Sequence, residues 1–426
     1  MRSCPHRLGA GSNPFLCHCS RRQAVKVLLP EQRGDGCVHI ADMTMFYAPS
    51  SGGVRTYLEA KRQRLVNADD VCHSLLIPSL PADATPADGI EAPPVHGSRE
   101  QRLQTLRIPA PPLPFSGGYR FPLRTHHWVN ALDRLQPDII EAGDPYVVGW
   151  AAIRAARRLN APLIAFYHSD LPEMLGSRFG NGVRHLTERY IRHLYRHYDS
   201  VLAPSQLMAQ RLAAIGVERV SVQPLGVDTV RFTPDKRDSA LRQQLGLADD
   251  IRLLIFAGRG SQEKNLPVLL ETLKILGPQY HLLMVGSNMP RQTPDNVTTI
   301  SRFCPPDELA GLLASADALL HAGTQETFGL VILEAMASGI PVVAADAGAL
   351  PEMLDDRYSR LCAPLDAQDM ARATRDLFEQ DIKAMGALAR QRVERHHGWD
   401  AVVDSLRQHY EHVIAERLTV AQDHAS

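Results

Sequence analysis

Short apolar runs, each closed by a turn or a polar residue, recur along the chain with stretches of helical period between them. Val38 to Thr44 is the first such run, and Pro49-Ser50-Ser51-Gly52-Gly53 then turns into a helical stretch from Val54 to Leu65. Similar runs cover His73–Pro78, Asp138–Ala142, Leu163–His168 and Ser200–Ala203, with helical spacing over Trp150–Leu159 and Ser205–Ile215. The pattern then restarts. Val220–Pro224 predicts a strand, Gly226 to Lys236 a linker, and further strands follow at Arg252–Ala257, His281–Val285, Thr298–Ser301, Ala318–His321 and Pro341–Ala344. Continuous apolar strands alternating with helices imply parallel sheets covered on both faces. Two such series predict an α/β chain built from two Rossmann-like, doubly wound parallel-sheet halves. Residues 79–122 carry Pro-rich 109–114 and Gly117-Gly118 and read as a loop-rich segment, of the kind that carries specificity at a cleft rim.

Composition adds limits. A chain of 426 residues exceeds what one core usually serves, so the expected division is an N-terminal half over 38–228 and a C-terminal half over 229–398. A formal net charge of −1 provides no global field for nucleic acid, and no nucleic-acid partner is expected. No stretch approaches the ~20 apolar residues needed to cross a bilayer. Residues 1–37 are Arg-rich without the apolar core of a secretory signal, and read as a poorly ordered extension. Seven unpatterned cysteines suit a reducing cytoplasm, the expected location. Cys4, Cys17, Cys19 and Cys37 crowd beside His6 and His18, where a metal site is the less favoured alternative.

Open parallel sheets bind ligands at the carboxyl ends of their strands. The polar residues just past strands are Gly52, Gly53, Asp144, His168, Arg259, His321 and Glu326, and they come from both halves. The strongest local signal runs from Glu326 to Glu334 and ends at Gly339 and Pro341, which stop a helix expected to begin near Phe328. Glu326 then lies before the helix and Glu334 about two turns into it. Between them the free amides of Gly329 and Leu330 sit at the positive end of the helix dipole, a seat for a diphosphate. A second signal is Arg259 and Lys264, two cations following a strand in a chain with only six lysines. Arginine grips phosphate oxygens as a fork and lysine acts as a point charge.

Together these segments resemble the retaining family 4 glycosyltransferases of the GT-B fold, from about Val38 to the last helix. Gly52-Gly53 is similar to that family's Gly-Gly loop near the donor phosphate, and His168 to its histidine near the reaction centre. Ser205 and Pro224-Leu225-Gly226-Val227-Asp228 resemble a Ser-containing helix start and an Asn-Gly-Val-Asp loop, with Leu225 here in place of Asn. The resemblance implies two domains facing a central cleft, with the acceptor on the N-terminal side. It also implies Arg259 and Lys264 on the diphosphate, Glu326 on the sugar hydroxyls and Glu334 on the ribose. Glu326 and His168 are thus the expected catalytic residues, and Gly52, Gly53, Arg259, Lys264, Phe328, Gly329, Leu330 and Glu334 the donor-binding set. The implied reaction is front-side transfer of a hexose from a UDP- or GDP-sugar to a glycan or glycolipid hydroxyl, with retention and no covalent intermediate.

No cofactor or metal is expected, since fixed cations and helix amides can meet the leaving-group charge. Two rival readings are a non-hydrolysing nucleotide-sugar epimerase and a non-catalytic binding protein that kept the fold. Residues Arg178–His197 hold five Arg and three His. With Val183, Leu186, Tyr190, Leu194 and Tyr198 on an apolar face, this helix either packs with a solvated basic side or lies on anionic membrane. The apolar stripe Val402, Val403, Leu406, Tyr410 and Val413 predicts a last helix over about 399–416. By resemblance, that helix crosses back onto the first half.

Overall fold

The structure, a computed structural model, describes residues 38–47, 52–67, 70–86, 89–94, 98–112 and 118–423. The readings made for residues 1–37, including the Cys/His cluster, lie outside the described residues.

Seven strands form the first sheet: β1 (Val38–Met43), β2 (Val71–Ser79), β3 (Leu103–Pro109), β4 (Ile139–Glu141), β5 (Leu163–Phe166), β6 (Ser200–Ala203) and β7 (Val220–Val222). Their order is β3-β2-β1-β4-β5-β6-β7, and the pairings are parallel. The second sheet holds β8 (Arg252–Ala257), β9 (Tyr280–Val285), β10 (Val297–Ile300), β11 (Ala318–His321), β12 (Val342–Ala345) and β13 (Ser359–Cys362), in the order β10-β9-β8-β11-β12-β13. Each sheet winds outward in both directions from a central pair, β1/β4 and β8/β11. Successive loops diverge at those points and open a crevice at the carboxyl ends. This is the doubly wound α/β architecture that the apolar runs predict.

The helices that shape the site are α1 (Gly53–Leu65), α2 (His126–Leu135), α3 (Val147–Leu159), α4 (Leu171–Phe179), α5 (Asn181–Tyr195) and α6 (Gln206–Ala214) in the first half. The second half has α7 (Ala240–Gln244), α8 (Leu266–Leu276), α9 (Pro306–Ser315), α10 (Leu330–Ala337), α11 (Ala367–Phe378) and α12 (Ile382–His396), and α13 (Trp399–Asp423) ends the described chain. Local chemistry sets several ends: Asp170 and Ser205 accept amide hydrogen bonds at the starts of α4 and α6. The loop-rich stretch 79–122 also holds one strand, β3, at the sheet edge. Only Leu106 and Ile108 of that strand turn fully inward, while Thr105 and Arg107 face water, so its apolar signal is half that of an inner strand.

A charged cluster sits inside the first half. Lys61 of α1 is wholly buried, with Nζ 2.6 Å from Asp42 and 2.9 Å from Glu141, and it lies over the rings of Tyr57 and Tyr410. His73 Nε2 reaches Asp42 at 2.8 Å, and the Tyr57 hydroxyl donates to Glu141 at 3.1 Å. The hydroxyl of Tyr410, on α13, donates to the other oxygen of Glu141. Removing one partner from such a buried set typically costs about 3–5 kcal/mol, because the remaining charge is left unpaired.

Thus α13 lies on the first half. Trp399, Val402, Val403, Leu406, Tyr410, Val413 and Ile414 are buried in an apolar cluster that also contains Ile40, Tyr57 and Ile164 of the first half and Ile255, Phe328 and Leu333 of the second. Arg407 pairs with Asp70 at 2.7 Å, and Ser200 contacts His409 at 2.8 Å. The chain passes between the halves at two neighbouring places. Val227 N–H donates to His397 O at 2.8 Å, and a side chain at Gly226 would lie 2.7 Å from the Trp399 ring.

Candidate functional site

The N-terminus of α10 is set by a glycine that cannot readily be replaced. Gly329 has φ +95°, and a Cβ there would stand 2.9 Å from Leu350. This left-handed residue delays the helix to Leu330, two residues beyond the expected start. Glu334 therefore lies about one turn into α10, not two. Among the described residues, the amides of Gly329, Leu330 and Val331 donate to no backbone carbonyl, and no acidic side chain fills the first turn. The Phe328 side chain is buried and meets the His397 ring edge-on at 6.0 Å, so any donor contact there would come from its backbone. Across the cleft, Gly52 precedes α1, whose first turn likewise lacks an acid. A Cβ at Gly53 would lie 3.2 Å from Leu330 Cδ1, so the starts of α1 and α10 abut. Two positive dipole ends thereby converge from the two halves, a field suited to an anion.

The cations come from the loop after β8. That loop is pressed onto the end of β9: Gly260 N–H donates to Ser287 O at 2.8 Å, and a Cβ on Gly260 would overlap Asn288 O at 2.1 Å. Arg259 is exposed, and among the described residues its side chain has no ion-pair or hydrogen-bond partner. Lys264 Nζ is paired with Glu326 Oε1, and His321 Nε2 lies 3.1 Å from the same oxygen. His321 Nδ1 accepts the Gly323 N–H at 3.2 Å, which leaves the proton on Nε2, facing Glu326. Burial opposes the charge of Glu326, but Lys264 and His321 outweigh it and hold the carboxyl well below the usual range. Asn265, at φ +51°, donates its side-chain amide to Ala322 O at 2.9 Å and to Thr324 at 3.2 Å, tying the Lys264 turn to the loop after β11. No role for Asn265 or His321 was legible beyond their places at strand and helix ends. Burial raises Glu334 to about 7 against the pull of Arg231.

On the first half, the His168 ring stacks on Phe166 at 4.6 Å and meets Tyr57 at 5.2 Å. Burial, aided by the charge of Lys61, lowers it to about 3, so it is a neutral imidazole at physiological pH. Its carbonyl accepts from Thr327 Oγ1 at 3.3 Å, and Ser205 donates to Thr327 O at 2.8 Å. Glu352 of the second half accepts the Gln206 and Leu207 amides at 2.8 and 2.6 Å, filling the start of α6. Asp144 holds the loop after β1, accepting from Thr44 Oγ1 at 3.0 Å and from the Met45 amide. Burial raises it to about 7.

Residues 51–231 match the model of Glycosyltransferase Family 4, and residues 238–393 match that of Glycosyl transferases group 1. A GDP-mannose-dependent alpha-mannosyltransferase of Mycobacterium tuberculosis (strain CDC 1551 / Oshkosh) is 32% identical over 326 residues, 75% of this chain and 84% of that protein. The chain belongs to the family 4 glycosyltransferases. A GDP-mannose-dependent alpha-(1-6)-phosphatidylinositol dimannoside mannosyltransferase of Mycobacterium tuberculosis (strain ATCC 25177 / H37Ra) is 27% identical, covering 84% of this chain and 92% of that one. Among solved structures, sucrose-phosphate synthase from Thermosynechococcus elongatus superposes with a TM-score of 0.72 at 20% identity, over 89% of this chain and 100% of that one. That likeness places this glycosyltransferase in the GT-B fold. It is an enzyme that transfers a glycosyl group, which removes the binding-protein reading.

The basic helix of the glycosyltransferase differs from expectation in one respect. Thr187, Ile191, Leu194 and Tyr195 form the buried side of α5, whereas Leu186 is 67% exposed. Arg189, Arg192 and Arg196 are exposed. Among the described residues, no helix is long and apolar enough to cross a membrane, and no three His, Cys, Asp or Glu side chains are grouped to hold a metal ion.

Proposed function

We propose that this family 4 glycosyltransferase transfers a hexose, with mannose from GDP-mannose as the first candidate, to a hydroxyl of a glycan or lipid-linked acceptor. Transfer proceeds with retention at the anomeric carbon and without a metal ion. The observation that carries the reading is the Lys264–Glu326 pair, which leads directly into α10, whose free first-turn amides abut the start of α1. As the bond to the sugar breaks, charge develops on the departing diphosphate. Arg259, Lys264 and the Gly329 and Leu330 amides stabilise it there without reorganising. When Lys264 turns to phosphate, Glu326 is freed to accept hydrogen bonds from the sugar, while Glu334 takes the ribose. His168, neutral and fixed on Phe166, sits on the acceptor side. The choice of guanine and mannose rests on the relatives' stated donor, and a lipid-linked acceptor on the relative that acts on a phosphatidylinositol mannoside. Exposed Met174, Phe179 and Leu186 beside Arg178 and Arg189 suit peripheral contact with the cytoplasmic face of a membrane carrying that acceptor.

A thermal-shift and turnover panel of GDP-, UDP- and ADP-sugars tests this. A donor at 100 times its Kd stabilises by about 2.7 kcal/mol, and GDP-mannose should produce that shift and turn over in excess EDTA. Stabilisation by none of the sugar nucleotides would end the donor reading. Activity lost in EDTA and restored by Mg²⁺ or Mn²⁺ would end the metal-free one.

A further inference from the structure

A second charged site lies away from the cleft. A pocket of about 330 Å³ is lined by Arg189 and Arg192 of α5, by Arg196 just past its end, and by Gly216, Glu218 and Arg219 of the turn before β7. The last turn of α5 leads into β6, and the Gly216–Arg219 turn leads into β7, so the pocket sits at the amino ends of those strands. His168 and Gly53 stand at the carboxyl ends, on the opposite edge of the same sheet.

Four guanidinium groups thus face one cavity with a single carboxylate, a net charge of +3 from four Arg and Glu218. Among the described residues none of the four is paired with a carboxylate; the one side-chain bond among them is Arg196 Nε to His197 Nε2 at 3.4 Å. Nearby arginines behave otherwise, since Arg211 pairs with Asp170 at 2.5 Å and Arg184 with Glu173. Cations near a helix C-terminus complement its dipole, which accounts for Arg192 and Arg196. It does not account for Arg189, a turn earlier, or for Arg219 on another element. The turn itself is shaped for the cluster. Gly216 has φ +82°, and a Cβ there would press on Arg192 Nε at 3.0 Å, so the glycine lets that side chain lie across it. Arg219 is held at φ +55°, a conformation that a residue with a side chain adopts at some cost.

We propose that this pocket binds an anionic phosphate group, remote from the reaction centre. Paired guanidinium forks match phosphate oxygens, and a bound anion relieves the mutual repulsion of the four cations. The phosphate can belong to a free phosphorylated compound or to the headgroup of an anionic phospholipid.

The test uses the full chain carrying Arg259→Ala and Lys264→Ala, so that phosphate binding in the cleft is weakened. One arm titrates pyrophosphate by calorimetry at low salt. The other floats the protein with phosphatidylglycerol–phosphatidylcholine vesicles against phosphatidylcholine alone. Adding Arg192→Ala and Arg219→Ala should weaken binding by about tenfold or more in at least one arm. Lysine at both positions should restore part of it, and thermal melts should be unchanged. An effect in the pyrophosphate arm identifies a free phosphate ligand, and one confined to vesicles a lipid headgroup. Binding in neither arm, or an equal loss when the remote Arg357 and Arg372 are changed to Ala, would overturn the proposal.

Discussion

Arg259 and Lys264 differ in what they touch, and that predicts different consequences when each is lost. Arg259 is exposed and, among the described residues, unpaired, so Arg259→Ala should leave thermal stability unchanged while kcat/KM falls about 10²-fold. Lys264 is mostly buried against Glu326, and its removal strands that carboxylate beside His321. Lys264→Ala should therefore lose comparable activity and about 1.5–3 kcal/mol of stability. Kinetics and melts on the two variants check this, and wild-type turnover in either removes it from the diphosphate site. Glu334 adds a pH dependence. Burial raises it to about 7, so the carboxylate form, the better acceptor for ribose hydroxyls, dominates only above that pH. Donor kcat/KM should rise as pH increases through about 7, and Glu334→Gln should flatten that inflection; an inflection kept in the variant would assign it elsewhere. The residue types were legible because phosphate and sugar chemistry calls for cations and carboxylates after strands. The Lys264–Glu326 pair was not, because its partners are 62 positions apart and no spacing rule joins them.

At the scale of elements, buried strands announced themselves. β8 and β11 are apolar on both faces, and their bounds agree with the apolar runs. β3 and the start of α10 were harder to read, for separate physical reasons. An edge strand shows half an apolar pattern, and a left-handed glycine moves a helix start without changing its periodicity. Gly329 makes that second point testable. Alanine there must hold φ near +95° and displace Leu350, which should cost about 1–2 kcal/mol from the backbone alone. Because the same residue aims the α10 amides, Gly329→Ala should also raise the donor KM by about tenfold or more. Melting curves with steady-state kinetics separate the two effects. A variant with lowered stability and an unchanged KM would show that these amides do not hold the donor.

For the molecule as a whole, the question is how two sheets that share few contacts across the cleft keep a working geometry. Across the mouth they meet at Thr327, which bonds His168 and Ser205, and at Glu352, which fills the start of α6. These are a few polar contacts. Behind the cleft the connection is apolar and continuous. The chain crosses at Val227 and again at Gly398, side by side, with Trp399 packed on Gly226. α13 then runs along the first half and brings Tyr410 to the buried Lys61–Glu141 pair, and Tyr57, which also bonds Glu141, touches the His168 ring. This arrangement predicts that the crossing acts as a hinge and α13 as the strap that ties the second half to the floor beneath His168. Cutting the chain after Gly398 removes seven buried apolar side chains, Trp399 to Ile414, and exposes the groove they cover. It also takes the Tyr410 hydroxyl from Glu141. The truncated enzyme should be poorly soluble, and any folded fraction should show lowered kcat. Tyr410→Phe keeps the groove filled and removes only the hydroxyl, so it should stay soluble, lose about 1–3 kcal/mol of stability and lower kcat more than donor KM. If the truncated chain is soluble and turns over normally, or Tyr410→Phe leaves kcat and stability untouched, α13 does not couple the halves.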